Sequence, residues 1–142
     1  MAGEATSFID TNVLIYAHDR TDRRKHQAAK AVLEALWEDR SGALSTQVLQ
    51  EFYAVATRKL ASPIARKEAR DIVSVYSSWQ VVTVETSLIV AASHLEEVHQ
   101  LSFWDALIIE AARVAGASRL LTEDLQDGRV IEGIRIENPF RS

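Results

Sequence analysis

Four acidic side chains occupy places where an ordinary solvated charge is not expected. The chain holds 20 Asp and Glu among 142 residues, and most of them need no special account. Asp10 follows the apolar run Ser7-Phe-Ile9 and precedes Thr11-Asn-Val-Leu-Ile-Tyr16. Glu51 lies in Ser45-Thr-Gln-Val-Leu-Gln-Glu-Phe-Tyr53, with Val48, Ala54 and Val55 about one helical turn away. Asp105 lies in Leu101-Ser-Phe-Trp-Asp-Ala-Leu-Ile-Ile109. At ~100° per residue it shares a helix side with Ile109 and Ala112. Asp124 follows Leu120-Leu-Thr122. A carboxylate among apolar groups needs a partner or a cation, because losing its hydration is costly. Several carboxylates in one cleft repel unless something neutralises them. A hard divalent ion with oxygen ligands does so, and Mg²⁺ in particular takes a few carboxylates, waters and substrate phosphate.

Each acid also has a simpler role open to it. Asp10 suits the N-cap of a following helix. Glu51 can pair with Arg58, two turns along. Ser102 and Asp105 have the spacing of a capping box, although Glu or Gln is usual at the second position. Asp124 can be a turn residue in Thr122-Glu-Asp-Leu-Gln-Asp-Gly128, where Glu123 and Asp127 compete for any role it has. Their combination favours the metal site. Asp10, Glu51 and Asp124 each follow an expected strand within a few residues, so they can meet at one edge of a sheet.

The elements that must position them are short and alternate in type. Strands are expected at 7–9, 42–45, 81–84, 119–122 and 134–136. Helical spacing runs through Ala28, Ala31, Val32, Ala35 and Leu36, from Thr46 to about Leu60, and through Ala65, Ala69, Ile72, Val73 and Tyr76. It resumes through Leu88, Ala91, Ala92 and Leu95. A helix from Ser102 to about Ala115 is apolar nearly all round and therefore central, and Gly116 suits its stop. Alternating strands and helices imply a mainly parallel sheet with helices on both faces. In such sheets ligands bind beyond the carboxyl ends of the strands.

Composition narrows the classes. Hydrophobic residues are 47% and charged residues 25%, which excludes a disordered or low-complexity chain. No cysteine is present, so disulfides, thiolate metal sites and cysteine nucleophiles are out. The longest stretch without Asp, Glu, Lys or Arg, 72–84, is too short to span a membrane. Residues 1–6 lack the basic and apolar regions of a signal peptide, so a cytoplasmic protein is expected. A net charge of −4 argues against nonspecific nucleic-acid binding but permits local basic patches. Arg20, Arg23, Arg24 and Lys25 form one candidate patch. Arg58, Lys59, Arg66, Lys67 and Arg70 form another, and a solvated helix face explains either as well. His18, His26, His94 and His99 read as surface or satisfied histidines. Trp104 reads as a packing residue that can alternatively stack on a base. Trp37 and Trp79 read as helix-packing residues.

Phe8-Ile-Asp-Thr-Asn-Val-Leu-Ile-Tyr-Ala17, Gln47-Val-Leu-Gln-Glu-Phe52, Ser102-Phe-Trp-Asp-Ala-Leu107 and Leu121-Thr-Glu-Asp124 resemble, in order, the four acidic motifs of the PIN-domain family. The resemblance covers essentially the whole chain. It is greatest to the toxin half of bacterial VapBC-type toxin–antitoxin pairs. It implies one three-layer α/β domain over 1–142 and a metal-dependent endoribonuclease. Carried over by position, the resemblance implies that Asp10, Glu51, Asp105 and Asp124 would hold Mg²⁺ or Mn²⁺ and that Asn12 and Thr122 would be polar supports. The resemblance also implies attack by water on RNA, leaving a 5′-phosphate and a 3′-hydroxyl. A homodimer and a cognate antitoxin that blocks the acidic cleft are also implied.

Rival readings are a catalytically degenerate PIN-like module that binds RNA or protein, a haloacid-dehalogenase-like phosphatase and a receiver domain. The phosphatase needs a second Asp two residues after the first, where this chain has Asn12. The receiver needs adjacent acids near the first strand, which Ile9-Asp10-Thr11 does not supply.

Overall fold

The structure, a computed structural model, describes residues 5–141, so the signal-peptide expectation rests largely outside the described residues. The strands are β1 (Ser7–Ile9), β2 (Gly42–Ser45), β3 (Gln80–Val82), β4 (Arg119–Leu121), β5 (Val130–Ile131) and β6 (Ile134–Glu137). The helices are α1 (Thr11–His18), α2 (Arg23–Asp39), α3 (Thr46–Arg58), α4 (Arg66–Tyr76), α5 (Thr86–His99) and α6 (Phe103–Val114). One sheet has the order β3-β2-β1-β4-β6-β5, parallel throughout except for the β5–β6 pair. This is the mainly parallel α/β architecture expected.

The strand order fixes where the site must be. From β1 the chain steps to β2 and β3 on one side, carrying α1–α4. It then returns through α5 and α6 to β4, on the other side of β1. Right-handed crossovers in opposite directions put the two helix groups on opposite faces. The packing agrees, since α1 touches α2 and α3, α3 touches α4, and α5 pairs with α6. The order therefore reverses between β1 and β4. Their carboxyl ends flank the crevice where α/β sheets bind ligands.

The core is built from the sheet and from one side of each helix group. Phe8, Ile9, Leu44, Leu120, Leu121 and Ile136 are buried in the strands, with Val13, Leu14 and Phe52 on one face and Ile109 on the other. Residues 106–112 of α6 are all buried, as its apolar circumference requires. Gly116 ends that helix at φ 73°, with its N–H on Arg113 O and the Ala117 N–H on Ala112 O. Trp79 is buried before β3 and meets Trp37 and Tyr76 edge-on, so the two tryptophans do pack.

Some expectations need correction. The third strand ends at Val82 rather than 84, because its partner β2 gives way to α3 at Thr46. Thr46 Oγ1 then takes the Val84 N–H at 3.1 Å. β5 was not anticipated. It has only two residues and is held by a hairpin through Glu132 and Gly133, both at positive φ. Trp104 is not a core residue; it is 63% exposed. Glu110 is buried within the central helix and receives both its hydrogen bonds from Arg113 Nη1 at 2.9 Å.

Candidate active site

Asp10 leaves the end of β1 and caps α1. Its N–H reaches Leu121 O of β4 at 3.0 Å, which ties it to the crevice between the two strands. One carboxylate oxygen accepts from the Thr11 N–H at 2.7 Å and the other from Thr122 Oγ1 at 2.8 Å. Capping and a buried, oriented carboxylate are thus served by one residue. Asp10 is 6% exposed and Thr122 is fully buried.

Glu51 comes from α3, which starts at the end of β2 under the Ser45 cap. Its Oε1 accepts from Thr11 Oγ1 at 2.7 Å, and Gln47 Nε2 lies 3.5 Å from Oε2. The alternative pairing with Arg58 is not formed among the described residues. Thr11 and Gln47 were not singled out from the sequence. Thr11 lies 40 positions from its partner, and only the fold joins them. Gln47 was a signal of the local kind, one turn before Glu51.

Asp124 sits on the turn after β4. Asn12 Nδ2 donates to its Oδ2 at 3.0 Å and lies 3.4 Å from Thr122 Oγ1. The Asp124 N–H reaches Thr122 Oγ1 at 3.0 Å. Its two rivals point elsewhere. Glu123 is bound by Tyr16 and Lys25. Asp127 accepts from the Asn138 N–H at 2.7 Å and from Arg141 at 3.3 Å.

Asp105 stands in the first turn of α6. The Ser102 hydroxyl accepts from its N–H at 3.1 Å, but the carboxylate makes no hydrogen bond to a described residue. Only half of a capping box exists. Trp104 beside it is exposed and meets Phe103 edge-on.

The electrostatics show that these acids sense one another. Burial pushes the Asp10 carboxyl from 3.8 up to about 7. Hydrogen bonds from Thr122 and Thr11 oppose this, and the charges of Asp124 and Glu51 add to it. The Asp124 carboxyl is also raised, first by partial burial. Asn12 opposes that rise, while Asp105, Glu123 and Glu51 reinforce it. Among the described residues none of the four acids pairs with Lys, Arg or His. An uncompensated, all-oxygen, partly buried set of this kind fits a hard divalent cation in charge and donor type. The described residues do not hold three Asp, Glu or His side chains gathered tightly enough to grip an ion as they stand.

The remaining candidates divide. Arg24 Nη1 donates to Phe140 O at 2.6 Å, and Lys25 pairs with Glu123. Lys67 pairs with Asp71 along α4. His26 Nδ1 lies 2.9 Å from Tyr16 O, and His99 Nε2 lies 2.9 Å from Glu132. His18 departs from expectation, since its Nε2 is buried without a partner. No helix among the described residues is long and apolar enough to cross a membrane.

A search among curated proteins finds no match. Solved structures share the fold. A toxin–antitoxin complex from Klebsiella pneumoniae superposes with a TM-score of 0.67 at 21% identity, covering 91% of this chain and 95% of that one. Mycobacterium tuberculosis VapC20, described as a sarcin-ricin loop cleaving toxin, gives 0.63 at 23% identity over 81% and 87%. VapBC2 from Rickettsia felis, bound to a DNA fragment from its promoter, gives 0.65 at 19% identity over 94% and 98%. The profile of the PIN domain matches residues 7–130, so the chain belongs to the PIN-domain family.

Proposed function

We propose that this protein is a Mg²⁺- or Mn²⁺-dependent endoribonuclease and the toxin component of a type II toxin–antitoxin pair. The observation that carries the reading is that Thr122 and Asn12 join Asp10 at the end of β1 to Asp124 after β4, with Glu51 held on Thr11 beside them and no basic partner on any of the three. These four side chains would hold the ion. When bound, it would polarise the scissile phosphate and lower the pKa of a water nucleophile. The rest of the work belongs to the chain. Thr11 and Thr122 fix the Asp10 oxygens, the Thr11 hydroxyl fixes Glu51, and Asn12 fixes Asp124. Such preorganisation supplies most of the catalysis in phosphoryl transfer. Trp104 offers an exposed stacking face for a base beside Asp105. RNA is the substrate and water the nucleophile, leaving a 5′-phosphate and a 3′-hydroxyl. A homodimer, a cognate antitoxin and a cytoplasmic setting complete the reading. It is supported by membership of the family and by the fold shared with toxin–antitoxin structures. Asn12 donates to Asp124 at the place where a phosphatase of the haloacid-dehalogenase type needs its second Asp, which disfavours that rival.

The test is cleavage of RNA by the purified protein. Chelator should stop it and Mg²⁺ or Mn²⁺ should restore it. Asp10→Asn and Glu51→Gln should each lose at least about a hundredfold, or ~2.7 kcal/mol of transition-state stabilisation. Undiminished cleavage by either variant, or cleavage indifferent to chelator, would sink the assignment, and RNA binding without any metal-stimulated cleavage would leave a binding module as the better reading.

A further inference from the structure

Glu123 and Asp124 are neighbouring acids on one turn, yet their side chains go to opposite surroundings. Asp124 meets Asn12 at the acidic edge. Glu123 turns toward α1 and α2. Tyr16 OH donates to its Oε1 at 2.9 Å and Lys25 Nζ to its Oε2 at 2.8 Å. The ammonium is also 3.3 Å from Tyr16 OH and lies over the Tyr16 and Phe140 rings, 4.8 and 5.8 Å from their centroids. Those rings meet edge to face at 5.0 Å. The Lys25 and Glu123 side chains are 26% and 21% exposed. This is no freely solvated surface pair. Both carboxylate oxygens are engaged and the cation rests against two rings.

We propose that Lys25 and Tyr16 are positioning residues for the acidic site: they anchor Glu123 outside it and, through the shared turn, hold Asp124 inside it. The inference rests on the reading of the four acids given above. β4 ends at Leu121, and Asp124 must be presented from the turn only three residues later. The Glu123 N–H reaches Asn12 only at 3.4 Å, so its backbone is weakly tied. Its side chain supplies the firm attachment. The ammonium has a second effect, since at 2.8 Å it offsets part of the charge that Glu123 brings beside Asp124. Two adjacent acids thus have different duties, one as an anchor and one as a ligand.

The experiment titrates the intact, metal-free protein with Mn²⁺ and counts unbound ion by electron paramagnetic resonance, with no RNA present. Lys25→Met should weaken Mn²⁺ binding by roughly tenfold, the scale seen when groups that orient metal ligands are lost. Tyr16→Phe keeps the ring, removes one donor and should weaken binding less. It carries the test if Lys25→Met fails to fold by circular dichroism. Lys25→Arg should keep most of the affinity, because a guanidinium can still donate to Glu123. In an Asp124→Asn background, Lys25→Met should cause no further loss, since its effect travels through Asp124. Unchanged Mn²⁺ affinity in folded Lys25→Met and Tyr16→Phe proteins overturns the proposal, as does a loss that adds in full to that of Asp124→Asn. So does a Glu123→Gln protein that loses the ion while Asp124→Asn keeps it, which would put Glu123 at the metal. Wild type that binds no Mn²⁺ removes the metal reading of the acids and the anchor with it. Wild type that binds normally beside unaffected variants removes the anchor alone.

Discussion

Asp10 combines a favourable local role with an unfavourable charge. It caps α1, yet burial drives its carboxyl up to about 7 against an ordinary 3.8. The folded state therefore holds the proton more tightly than the unfolded chain between about pH 4 and 7. Stability must fall as pH rises through that window, because there the native state binds more protons. A shift of about three units corresponds to ~4 kcal/mol, and an Asn gives back part of it by weakening the bonds from Thr11 and Thr122. In chelator at pH 8, Asp10→Asn should be more stable than wild type by on the order of 2 kcal/mol in urea unfolding. The difference should vanish or reverse near pH 4. Parallel stability curves for the two proteins across that range would show that Asp10 is not strained by its charge. At this scale the acids were legible in the sequence because each stood among apolar neighbours or at a strand end. Their supports were less so. The bond from Thr11 to Glu51 spans 40 positions and that from Lys25 to Glu123 spans 98, distances over which no spacing rule operates.

The N-terminal turn of α6 separates structural from functional duty within one element. Ser102 accepts the Asp105 N–H, whereas the Asp105 carboxylate makes no bond back to the cap. Ser102→Ala should cost ~1 kcal/mol, the usual value of a lost cap. Thermal melts should fall by roughly 3 °C with the ion response intact. Asp105→Asn should behave differently. It gives up a helix-end charge worth ~0.3–1 kcal/mol but removes a charge that presses on Asp124. In chelator it should melt no lower than wild type. It should also lose most of the stabilisation by Mn²⁺, because only ions bound to the native state contribute. An Asp105→Asn protein that melts well below wild type and responds fully to Mn²⁺ would confine Asp105 to the helix. Most elements were visible as apolar periodicity, α6 above all, whose residues 106–112 are buried together. The exceptions have tertiary causes. β3 stops early because β2 runs into α3. β5 exists only as the partner of β6. Glu110 is buried because Arg113 neutralises it there, and Arg113 also reaches Glu132 in the β5–β6 hairpin at 3.6 Å.

The whole molecule carries a charge of −4 and concentrates uncompensated carboxylates at one sheet edge. A protein partner that covers this edge must bring positive charge to it. An arginine is the best match, since a guanidinium can bind a carboxylate through two parallel, charge-assisted hydrogen bonds. The cognate antitoxin is therefore expected to place a basic side chain among Asp10, Glu51, Asp105 and Asp124. It would thereby exclude both the ion and the phosphate. Co-expression with a cognate antitoxin should give a stable complex that does not cleave RNA. Proteolysis of the antitoxin should restore the activity. Replacing Asp124 by Asn should weaken the complex by ~1.5–3 kcal/mol, the usual worth of a hydrogen bond to a charged group. The weakening should shrink at high salt only if the pair is exposed, because buried pairs are poorly screened. Light scattering should find the free protein as a dimer at high micromolar concentration, with the cleavage site open in each copy. A complex that cleaves as fast as the free protein would place the antitoxin elsewhere on the surface and refute the blocking mechanism while leaving the metal chemistry of the acids in place.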